Sequence, residues 1–195
     1  SSDELYILIM MFDDAFIPFY DKHVNDVFIK PDMKKLEDDI GQIELPFAKY
    51  QNGFFKDYRR YHYGMLKMFA NQQHVQSLSD EYFNNHPVLY THPSYADLFN
   101  QVFDKFFIFL GRSESGKQIY EDINESGSLY KLMHTLSHLN HFNNDTLKEL
   151  VVLKQLHDEY YGSHFSRNGL LRILDSLQTF SPVEEHRKIS QIIKN

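Results

Sequence analysis

Between Tyr95 and Leu110 apolar residues recur with helical spacing: Tyr95, Leu98, Phe99, Val102, Phe103, Phe106, Phe107 and Leu110. The pattern predicts one helix over 94–110, with Gly111 as its left-handed C-terminal cap. Leu5, Leu8, Ile9, Phe12, Phe16, Phe19 and Tyr20 keep the same period over 3–28. Pro18 falls inside that stretch and predicts a kink or a break into two pieces. Pro31 suits the first turn of a second helix over 31–44, and Pro46 interrupts before a third over 53–72. Phe54, Tyr58, Tyr61, Met65 and Phe69 organise that third helix. A turn of helix at Ser79–Phe83 precedes the irregular stretch 86–93, where two prolines exclude helix.

The C-terminal half reads the same way. Short helices are predicted over 115–124 and 127–139, punctuated by Gly127 and by Asn143–Asn144–Asp145. Thr146 and Glu149 have capping-box spacing at the head of the next helix. Its apolar residues (Leu147, Leu150, Val151, Val152, Leu153 and Leu156) wrap more than one face, so it is expected to be central and buried. Ser166 can cap the following helix, whose stripe is Leu170, Ile173, Leu174 and Leu177. Ser181–Pro182–Val183–Glu184 reads as a cap, a first-turn proline and an N3 glutamate. No strand alternation appears. The prediction is all-α: a multi-helix bundle or stacked helical hairpins of about eight to ten helices. One domain over 1–195 is expected, with an N-terminal helical part, 1–85, and a C-terminal one, 94–195, as the division within it. The last predicted helix runs to Asn195 without a cap, which suggests a segment of a longer chain.

Composition narrows the function. The 195 residues carry 17 Phe and 13 Tyr, ample bulk for a core. A net charge of -7 argues against a nucleic-acid partner, which requires a basic footprint. No apolar run is long enough to span a bilayer. The absence of cysteine removes thiolate chemistry, disulfides and cysteine metal ligands.

Four groups of residues invite a chemical reading. Gly111–Lys117 fits G-x-x-x-x-G-K, whose backbone N–H groups and lysine would cradle phosphate. Gln118 stands where that motif needs Ser or Thr, and a helical stripe stands where it needs a strand, so an inter-helix turn is expected. His134, His138 and His141 are spaced to place three imidazoles on one helical face, enough donors for zinc with an open position. Their other reading is a polar helix end. Tyr58–Arg59–Arg60–Tyr61–His62–Tyr63 mixes base and aromatic and offers a ligand or partner surface, against a plain helix with tyrosines inward and arginines solvated. His157–Asp158–Glu159 and Asp175 offer a general acid/base pair, against helix-surface polarity. No catalytic set assembles from neighbouring residues, and no motif calls for a cofactor.

The segments VLYTHPSYADLFNQVFDKFFIFLGRSESGKQIYEDIN (88–124), NDTLKELVVLKQLHDEYYGSHFSRNGLLRILDSL (144–177) and EEHRKISQIIK (184–194) resemble the helical region of Bacteroidetes thioredoxin-like thiol–disulfide oxidoreductase lipoproteins. The most specific parts are LKELVVLKQLHDEYY and FSRNGLLRILDSL, which are helix-packing sequences. The resemblance implies a neighbouring β-rich domain, a thioredoxin-fold domain with a C-x-x-C pair, and a location in the cell envelope, in the periplasm or anchored to the outer membrane. With no cysteine here, no catalytic residue of that family carries over. The expectation is a non-catalytic spacer or docking domain whose partners are neighbouring domains or another protein. The alternative is an all-α protein that binds a small ligand, a glycan or a metal, for example in an aromatic cleft near Tyr58–Tyr63.

Overall fold

A computed structural model describes residues 2–25, 32–71 and 75–195, apart from the side chains of Ser2, Ala70 and Asn71. Among the described residues it is all-α. Helices run over Ser2–Asn25 (α1), Met33–Glu44 (α2), Gly53–Asn71 (α3), Val75–Tyr82 (α4), Pro93–Val102 (α5), Phe106–Leu110 (α6), Leu129–His138 (α7), Asp145–Asp158 (α8), Arg167–Phe180 (α9) and Glu184–Lys194 (α10). A helical turn at Gln118–Glu121 continues into a π turn at Asp122–Ser126 between α6 and α7. The expected first-turn role of Pro31 and the end of the 3–28 stripe lie outside the described residues.

The chain forms two units. The first comprises 1–78 and 89–102; the second comprises 79–88 and 103–195. In the first, α3 packs on α1, α2 and α5. Its core is aromatic, centred on Phe12, with Phe16, Phe47, Phe55 and Tyr63 around it. Phe16 stacks on Phe12 at 5.3 Å and the others meet its ring edge-on, arrangements that the ring quadrupole favours. In the second unit α8 is central, in contact with α7, α9 and α10. Leu147, Val151, Val152 and Leu156 are fully buried there, as the all-round apolar pattern predicts.

Several local expectations are corrected. Pro18 does not interrupt α1, which is continuous from Ser2 to Asn25. Pro18 is on the exposed side, where water can solvate the carbonyl that the missing N–H leaves unpaired. The predicted 94–110 helix is broken after Val102, and Lys105 takes a left-handed backbone with φ of 50°. The buried Gln155 amide spans the break, donating to the Phe103 carbonyl at 2.7 Å and accepting from Phe107 N–H at 3.1 Å. The amide thus inserts into the single helical bond that would join Phe107 N–H to the Phe103 carbonyl, and satisfies both of its ends. Gly111 is right-handed, with φ of -61°, and its lack of a side chain leaves room for the Tyr120 ring.

The caps differ too. Asn144 caps α8, accepting from Leu147 N–H at 2.7 Å, two residues before the expected Thr146. Ser166 caps α9 as predicted, accepting from Gly169 N–H. Ser181 takes Val183 N–H rather than capping α10, which begins at Glu184. Its hydroxyl donates to Glu149 at 2.6 Å, and the fully buried His186 ring meets the same carboxylate oxygen at 2.7 Å. This buried polar junction ties α8 to the start of α10.

Candidate functional site

The run Tyr58–Tyr63 divides among three faces of α3. Arg59 and Tyr63, one turn apart, turn inward to Glu44 on α2. The guanidinium grips that carboxylate with Nε and Nη2, each at 3.0 Å, and Tyr63 donates its hydroxyl at 2.8 Å. Arg59 is 4 % exposed and lies 4.3 Å over the Phe55 ring. It is therefore a buried packing residue, not the solvated arginine of the plain-helix reading. Tyr61 packs edge-on against Tyr95 at 5.2 Å.

Tyr58 and His62 face the third way, into a cleft of about 530 Å3 between α1, α3 and α5. Phe16, Ile17, Tyr20 and Met65 supply apolar wall; Asp13, Ser94, Asp97, Asn100 and Gln101 supply polar groups. Tyr58 donates its hydroxyl to both Asp13 oxygens, at 2.9 and 3.1 Å. Burial, then this bond, then the Asp13 and Asp97 charges push the Tyr58 hydroxyl well above its ordinary 10.0. The His62 Nδ1 lies 2.8 Å from the Tyr58 carbonyl and donates to it, which makes Nε2 the lone-pair nitrogen of the neutral ring. Burial lowers the His62 pKa below its ordinary 6.5, and the bond to the Tyr58 carbonyl and the two aspartates offset only part of that. No lysine or arginine is among the described residues that line the cleft. Pairing Tyr58 with His62 is legible from their i, i+4 spacing; Asp13 and Asp97, on other helices, are not.

The outer face of α1 is the second notable surface. Tyr6, Ile7, Met10, Met11 and Ile17 are between 47 % and 64 % exposed, and Ile17, at the edge of this face, is shared with the cleft wall. The remaining large exposed apolar residues are scattered over other elements. Clustering on one helix face distinguishes a patch from ordinary surface hydrophobes. Its signal in the sequence is apolar residues on both sides of α1, at helical spacing from one another as well as from the core stripe.

The other candidate groups do not assemble into sites. α7 ends at His138, and Asn140 has φ of 55°, so His141 leaves the helical face that His134 and His138 share. The His134 and His138 rings lie 4.4 Å apart, whereas His141 packs against Phe106. Among the described residues no group of three metal-competent side chains forms. In Gly111–Lys117 the N–H groups of 111, 112, 113, 116 and 117 are all spent on nearby acceptors, and Lys117 pairs with Glu114 at 2.5 Å. A phosphate would find few free donors there. Asp158 pairs with Lys154 and His157, Glu159 with His164, and Asp175 with Lys194. These are side-chain contacts of the second unit, with Lys154–Asp158 and Lys194–Asp175 as its ion pairs. The Ser181–Glu149–His186 junction sets a hydroxyl on a carboxylate rather than on imidazole, in a solvent-excluded core, which is the arrangement of a lock and not of an activated nucleophile.

Comparison with protein families, with characterised proteins and with solved structures finds no significant match for this chain. Among the described residues no helix is long and apolar enough to cross a membrane.

Proposed function

We propose that the chain is a non-catalytic helical docking domain, and that the outer face of α1 is where it docks. The observation that carries this is the group of exposed apolar residues on α1, Tyr6, Ile7, Met10, Met11 and Ile17. The helix bearing it also carries Asp3, Glu4, Asp13, Asp14 and Asp21, with Lys22 and His23 only in its last turn. A partner face that intersperses basic groups among apolar ones complements this surface in both respects. The resemblance to thioredoxin-like envelope lipoproteins supports an envelope setting in which the docked body is a neighbouring domain, such as a redox domain, or a client protein. The described groups supply packing and docking rather than chemistry.

Photo-crosslinking from position 10 in cells tests the reading, with a crosslinker at the exposed Gln191 as reference. A defined protein adduct or a defined intramolecular crosslink specific to position 10 is expected. Ile7→Asp and Met11→Asp should each weaken it by at least about tenfold, the scale of an interface anchor. Identical adduct patterns from positions 10 and 191 would remove the proposal.

A further inference from the structure

The cleft between α1, α3 and α5 goes beyond docking. Among the described residues its two carboxylates have no lysine or arginine partner. Among the described residues Asp13 is held by the Tyr58 hydroxyl alone, and Asp97 has no hydrogen-bond or ion-pair partner. Both carboxylates act electrostatically on Tyr58 and on His62, so they share one neighbourhood. The Asp13 oxygens retain acceptor capacity after Tyr58 has donated, because an ionised carboxylate offers about four lone-pair sites. Ser94, only 4 % exposed, lines the same cleft, and its hydroxyl has no hydrogen-bond partner among the described residues.

The walls define the rest of the ligand. Phe16, Tyr20 and Tyr58 supply aromatic surface whose faces attract cations and whose area accepts a hydrocarbon body. Anionic groups together with aromatic walls, and no lysine or arginine among the described lining residues, disfavour anions and favour a cation with an apolar body. About 530 Å3 lies within the range of small-molecule sites. We infer that this cleft binds a small organic amine in its ammonium form. The ammonium lies at Asp13 and Asp97, its body lies against Phe16, Tyr20 and Tyr58, and the Ser94 hydroxyl serves as a further polar contact.

Calorimetric titration of the whole chain tests this with benzylamine, n-butylamine and tetramethylammonium, and with benzyl alcohol as the neutral counterpart of benzylamine. Saturable binding of benzylamine is expected, with benzyl alcohol weaker by roughly tenfold or more, the scale of a charge-assisted hydrogen bond. Asp97→Asn, at an exposed position, should weaken benzylamine by a similar factor and leave the melting temperature unchanged. Asp13→Asn should do so while keeping an acceptor for Tyr58. Three results would each overturn the inference: no saturable heat with any amine, equal affinity for benzyl alcohol, or indifference to both substitutions. Ile7→Asp and Met11→Asp, outside the cleft lining, should leave amine binding intact, which separates this site from the docking face.

Discussion

Arg59 and His62 sit three residues apart on α3, and the sequence treats them alike, as polar members of a mixed run. Their surroundings differ in what they do to charge. Arg59 keeps its charge in the interior because Glu44 meets it with two parallel hydrogen bonds. His62 has no such anchor; burial outweighs the more distant aspartates and favours the neutral ring. The spacing of Arg59 and Tyr63 suggests a shared face, but only their common partner Glu44, on α2, shows that the face is internal. A stability consequence follows for His62. Its folded pKa lies below the unfolded value near 6.5, so the unfolded chain binds the proton more readily. The stability this contributes is complete above about pH 6.5 and is lost as pH falls through the lowered folded value. His62→Phe keeps a ring against Phe12 and Phe16 and removes the titration. In urea unfolding between pH 7.5 and pH 5, the stability of the native chain should fall more steeply than that of His62→Phe. Parallel pH profiles would show that His62 is not the linked group.

At the scale of elements, the helix period locates nearly every helix, because a one-sided apolar stripe must be buried whatever its partner. Where helices stop is set less locally. The stripe from Tyr95 to Leu110 satisfies one long helix, and the break after Val102 depends on Gln155, some fifty residues on, to satisfy the backbone there. Likewise Thr146 and Glu149 fit a capping box, yet Asn144 reaches the first free N–H groups sooner. Gly169 shows how a tertiary contact can reverse a local preference. Inside an exposed helix, Gly→Ala is worth up to about 1 kcal/mol of added stability. Here a Cβ at residue 169 would stand 2.0 Å from the Ile123 carbonyl oxygen in the π turn and 2.8 Å from the Ser166 hydroxyl oxygen. Close packing of α9 on that turn therefore requires the glycine. Gly169→Ala should destabilise the protein by about 2–3 kcal/mol, read as a lower urea midpoint with an unchanged slope. A midpoint at or above the native one would place the turn and α9 farther apart than described.

At the scale of the whole molecule, the sequence offers a division near residues 85–94, and the chain instead interleaves its two units. Residues 79–88 belong to the second unit, after which 89–102 return to the first. The reason lies in contacts remote in sequence. Asn84 donates to the His141 carbonyl at 3.1 Å and accepts from Asn143 N–H at 3.2 Å, and its own carbonyl accepts from the Asn144 side chain at 3.0 Å. Asn144 is the residue that caps α8, so the short segment steadies the start of the central helix. Phe83 adds a buried ring, 5.7 Å from Phe103. Three hydrogen bonds at about 1 kcal/mol each and a buried phenylalanine worth about 3 kcal/mol give roughly 6 kcal/mol. That is comparable to the entire stability of an ordinary domain. A fragment covering 103–195 is therefore expected to be largely unfolded, while one covering 79–195 folds. Circular dichroism melts of the two fragments decide the matter: a cooperative transition at the same temperature in both would show that 79–88 is dispensable to the second unit. Asn84→Ala in the whole chain supplies the independent check, with an expected loss of about 2 kcal/mol. It should be accompanied by faster amide exchange at Leu147, because the Asn84 side chain accepts from Asn143 N–H and so steadies the residue next to the Asn144 cap.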